Sequence, residues 1–136
     1  MKTERRFALF SFVMACLHFV FETGVHVKWG QFLPMLIVDY IAIALLIGGA
    51  MGVLRWNWGP GLLCGAWGFE FCLNYRTFFI RVHAIMEGTA NDVTTTTAYI
   101  LGALLVFSIP VFLYAVLLCV RRHRMTTAAS TLVDNA

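Results

Sequence analysis

Four apolar runs, each about as long as a bilayer is thick, constrain this chain more than any other feature. A helix that crosses the hydrocarbon core needs roughly 20 mainly apolar residues. Runs of that kind lie at 7–26, 33–54, 60–81 and 98–120. Backbone polar groups cannot stay unpaired in lipid, so the runs are expected as helices, and none shows the strict alternation of a strand. Pro34 and Pro60 stand at the openings of the second and third runs, where a missing N–H costs nothing. Pro110 falls inside the fourth and predicts a kink there. The expected fold is all-α: an integral membrane four-helix bundle with short loops. It forms a single domain over 1–124, followed by a disordered polar cytoplasmic tail over 125–136.

Composition agrees with a lipid solvent. Charged residues make up 12% of the chain, where a soluble domain carries about 25%; so few charges would not cover a water-facing surface. The net charge of +3 is small and its basic residues gather at the ends. That argues for membrane topology and against a nucleic-acid partner. Lys2, Arg5 and Arg6 precede the first run, Arg55 lies between the second and third, and Arg121, Arg122 and Arg124 follow the fourth. An even number of spans sets all three groups on one side, which the positive-inside rule makes cytoplasmic. Both termini are thus expected inside, in an inner or plasma membrane. Arg76 and Arg81 run against the pattern and need another explanation.

The basic start and apolar run of Met1–Phe21 look like a signal peptide, but no small-residue cleavage site follows, so a retained anchor is expected. Val13-Met14-Ala15-Cys16 is only a faint lipidation box, because the apolar run continues past it. Trp56 and Trp58, in the short link between the second and third runs, suit the membrane–water interface. Cys16, Cys64, Cys72 and Cys119 all lie in apolar runs without CxxC spacing and read as small buried hydrophobes. Gly48 with Gly52, and Gly61 with Gly65, have the four-residue spacing that lets membrane helices approach closely.

Ionisable groups inside membrane helices are costly and usually functional. The first run carries Ser11, His18, Glu22 and His26 at spacings that fall on one helical stripe. The third carries Glu70, Asn74, Thr77 and Arg81, again one stripe, with Arg76 nearby; the second carries Asp39. Counted by depth, the strongly polar residues among these lie at mid-membrane or in the outer half, and the cytoplasmic half is nearly all apolar. Arg76 and Arg81 are expected to neutralise Asp39, Glu22 or Glu70.

His18, Glu22, Asp39, Glu70, Asn74, Arg76 and Arg81 are therefore the candidate ligand- or ion-binding residues. The first expectation is a site that binds or translocates a small ion or polar solute. A membrane enzyme or cofactor protein is the alternative, with metal or haem held by His18, Glu22 and His26, or acid–base chemistry on a lipophilic substrate. A structural accessory subunit is the third, its buried pairs fixing register. The partners expected are the lipid bilayer and further membrane subunits or copies of this chain.

Overall fold

The computed structural model describes residues 2–30, 33–56 and 59–134, without the side chains of Trp29 and of residues 126–134. Among the described residues there are four helices and no strand: α1 (Lys2–Trp29), α2 (Leu33–Arg55), α3 (Gly59–Met86) and α4 (Asp92–Asp134). Three of them, α1, α2 and α4, are long and apolar enough to cross a membrane. In α3, Glu70, Asn74, Arg76 and Arg81 interrupt the apolar run. Asn57 and Trp58, in the link expected to anchor at the interface, lie outside the described residues. Residues 125–134, expected as a disordered tail, continue the helical path of α4 through Asp134; 135–136 lie outside the described residues. Pro110 sits within that same helix.

The helix ends have local causes. Gly30 and Gly88 take left-handed φ angles of 69° and 70°, which glycine adopts without a Cβ clash. After α3, Gly88 N–H donates to Ile85 O (3.1 Å) and Thr89 N–H to Ala84 O (3.0 Å), the paired bonds of a Schellman cap. At the start of α4 the Asn91 side-chain oxygen accepts from the Thr94 N–H at 2.8 Å, an N-cap. Thr94 and Thr95 hydroxyls bond locally as well, at 2.9 and 3.1 Å. The threonine run therefore belongs to the helix, and α4 begins six positions before the expected Ala98.

Successive helices pack side by side, α1 on α2, α2 on α3 and α3 on α4. Alanines carry much of the contact: Ala15, Ala42, Ala50, Ala66 and Ala115 are all buried. The closest approach involves one of the glycines picked out by spacing, Gly52, but its partner is Gly59 rather than Gly61 or Gly65. A Cβ on Gly59 would collide with the Gly52 backbone, and one on Gly49 would come within 2.7 Å of Leu63 Cα. Gly61 and Gly65 face open space, and Gly48 makes an ordinary contact. Spacing within one helix does not say which of its faces meets the neighbour.

An aromatic cluster closes the end of the bundle that holds the early part of α1 and the late part of α4. Phe7 meets Tyr114 edge-on with centroids 4.9 Å apart, Phe10 stacks on Trp67 at 6.0 Å, and Phe10 meets Phe107 at 6.2 Å. Ser11 and Trp67 lock α1 to α3 beneath it: the indole N–H donates to the Ser11 hydroxyl (2.9 Å), which donates to Phe7 O (2.9 Å). Arg122 donates to Glu4 at 3.0 Å at the same end. Exposed large hydrophobics, among them Leu9, Val20, Ile37, Val106 and Leu117, cover the outer faces of α1, α2 and α4.

Candidate functional site

Beyond the aromatic cluster a cleft of about 410 Å³ opens between α1 and α4. Met14, Leu17 and Phe21 form the α1 wall, and Leu101, Leu104 and Phe107 the α4 wall. Trp67, Glu70 and Asn74 of α3, with Leu46 of α2, make the floor. The side chains that break this apolar lining are His18 and Glu22 from α1, Glu70 and Asn74 from α3, and Ser108 from α4.

Helical spacing puts these groups together. Four residues separate His18 from Glu22, and Glu70 from Asn74, so each pair shares a face of its helix. Packing then brings the two faces into contact. His18 Nδ1 lies 2.6 Å from Glu70 Oε1, and His18 Nε2 lies 3.7 Å from Glu22 Oε1. The imidazole thus stands between two carboxyl groups. The short contact is off the line of the ring N–H: Nδ1 has no hydrogen-bond partner of good geometry, and neither has the buried Glu70 Oε2. Glu70 is only 7% exposed. A buried carboxyl oxygen without a donor is uncommon in a folded protein.

His18, Glu22, Glu70 and Asn74, expected from the sequence, therefore converge on one cleft. The arginines do not join them, and the partner of both Glu22 and Glu70 is His18. Arg76 is six positions from Glu70, which at 3.6 residues per turn sets it on another face of α3, and it is exposed. Arg81 is half-buried further along α3, with its Nε lacking a hydrogen-bond partner. Asp39 is half-buried on α2, where the neighbouring Tyr40 hydroxyl meets the Thr23 hydroxyl at 3.1 Å. None of Asp39, Arg76 and Arg81 lines the cleft.

The metal set proposed from His18, Glu22 and His26 is not assembled either. His26 is half-buried outside the cleft, and Glu22 and Glu70 approach opposite nitrogens of one ring, so their lone pairs share no focus. Among the described residues no three His, Cys, Asp or Glu side chains are grouped to hold a metal ion. An imidazole between carboxyls can instead hold and pass a proton, or orient a polar group.

Sequence reasoning missed the α4 wall and Trp67. Trp67 was within reach, standing three residues before Glu70 and so on the same face. The wall of α4 carries almost no polar marker and was not.

Comparison of the chain with protein-family models, with curated proteins and with solved structures finds no match. The site's own geometry is thus the basis for a functional reading.

Proposed function

We propose that this chain is an integral membrane protein that binds a bilayer-dissolved molecule in the α1–α4 cleft, seating its polar group against His18, Glu22 and Glu70. All four helices cross the membrane in this reading, α3 included. The apolar residues Tyr75, Phe79 and Ile80 on its exposed side support that, as does the turning of Glu70 and Asn74 toward the cleft. The basic residues at both termini and at Arg55 support a cytoplasmic location for those ends.

The observation that carries the reading is the cleft itself. Its volume of about 410 Å³ falls in the range of small-molecule sites, about 300–1,000 Å³, and its apolar walls with few convergent polar groups have the usual make-up of such sites. A bare ion or a small polar solute would leave those walls unused. A molecule with an apolar body and a polar group uses both parts. Entry between α1 and α4 would be sideways from the acyl chains.

Native mass spectrometry of protein released gently from nanodiscs tests this. A retained lipophilic adduct is expected in the wild type and in Leu113→Trp, an exposed position of α4 away from the cleft. It should be absent in Leu104→Trp, which fills the cleft. An adduct that survives Leu104→Trp contradicts the reading.

The imidazole–carboxyl contact at the floor favours a second reading, acid–base chemistry on the bound molecule. Chemical change of an identified ligand, lost in His18→Gln while binding persists, would support it over simple binding.

A further inference from the structure

The charge of the cleft narrows its ligand. Among the described residues its lining contains two carboxyl groups and one imidazole, and no lysine or arginine. Whatever proton the imidazole holds, the carboxyls outnumber it. A buried charge without a partner is costly. The second carboxyl must therefore be matched by a proton or by a positive group brought in from outside. One imidazole serves both: Glu70 Oε1 lies 2.6 Å from it and Glu22 Oε1 3.7 Å, and the buried Glu70 Oε2 has no hydrogen-bond partner. The lining also includes three aromatic side chains, Phe21, Trp67 and Phe107, and aromatic rings attract cations where water is excluded.

Resting on the cleft being a ligand site, we infer that its ligand is a lipophilic cation, an amine or onium group held by Glu70 and Glu22 with its apolar body between α1 and α4. The polar groups that line the cleft with Glu70 are His18 and Glu22 from α1, Asn74 from its own helix and Ser108 from α4; among the described residues α2 contributes Leu46 alone.

Three aromatic probes of similar bulk test the inference on the full chain in nanodiscs, with empty nanodiscs subtracted: tetraphenylphosphonium, tetraphenylborate and neutral triphenylphosphine oxide. The phosphonium is expected to bind at least about tenfold more tightly than the borate. Glu70→Gln and Glu22→Gln should each weaken it by about tenfold. The second variant keeps the His18–Glu70 contact, so the test survives if Glu70→Gln does not fold. Borate binding as tight as phosphonium binding, or wild-type affinity in Glu22→Gln, overturns the inference. If all three probes bind equally and Leu104→Trp abolishes all three, the cation preference falls and the cleft reading stands. If none binds the wild type, both fall.

Discussion

His18 and Glu70 meet across the α1–α3 interface with 2.6 Å between Nδ1 and Oε1, and this contact ties the floor of the cleft to its α1 wall. The two side chains are one-fifth and one-tenth exposed, so little water shields them. Taking away one partner of a buried pair costs about 3–5 kcal/mol, because the other is left uncompensated. Glu70→Gln and His18→Gln are each expected near the lower end, about 3 kcal/mol, since neither side chain is wholly buried. The double variant should be distinctly more stable than the sum of the two losses. Reversible unfolding in mixed micelles measures all three, and strict additivity would show that the contact carries no coupling.

The Ser11–Trp67 hydrogen bond holds α1 to α3 below the cleft, and both residues are almost wholly buried. Ser11→Ala removes the acceptor and leaves the indole N–H unsatisfied, at a cost of about 1–3 kcal/mol. Replacing Trp67 by Phe in the Ser11→Ala background removes the stranded donor and should cost less than the same change in the wild type. Thermal unfolding of the four proteins decides it.

Two glycines only two residues apart, Gly59 and Gly61, behave oppositely. Gly59→Ala drives a methyl into the Gly52 backbone, which cannot move aside as a side chain would. Overpacking of this kind costs about 1–3 kcal/mol or more, and here the α2–α3 contact should part. Gly61→Ala meets open space and should stabilise α3 slightly through helix propensity. Melting temperatures of the two variants should move in opposite directions.

Asn91 caps α4 through the Thr94 N–H. Asn91→Ala should lower stability by about 1 kcal/mol and speed amide exchange at 92–95, while Asn91→Asp should keep both. Hydrogen exchange with peptide-level readout separates the cases. Protection unchanged in the alanine variant would place the start of α4 later in the chain.

Much of this architecture was legible in the sequence because its signals are local. Apolar runs of bilayer length marked all four helices, and 3.6-residue periodicity put His18 with Glu22 and Glu70 with Asn74. What periodicity leaves open is how each face is rotated toward its neighbours. The arginines were therefore assigned to the acids by charge alone, although Arg76 turns to another face and His18 takes both Glu22 and Glu70. Gly61 and Gly65 were chosen by spacing, although Gly59 and Gly49 make the close approaches. Ile100 to Phe107 looked like plain wall because apolar side chains say nothing about whether they face lipid, protein or a cleft. The threonines before Ala98 looked like loop because their hydroxyls are polar; bonded back to helix carbonyls, they extend α4 instead.

The central claim is that a molecule dissolved in the bilayer reaches the cleft floor. Trp67 reports on it directly, being 3% exposed and yet part of that floor. A variant with Trp29, Trp56 and Trp58 changed to Phe leaves Trp67 as the sole tryptophan. In nanodiscs of lipids with brominated acyl chains, the expected result is strong quenching of Trp67 emission that a saturating cleft ligand relieves. Emission equal to that in unbrominated lipid would contradict the claim, because it would mean that α1 and α4 close over the floor in the membrane.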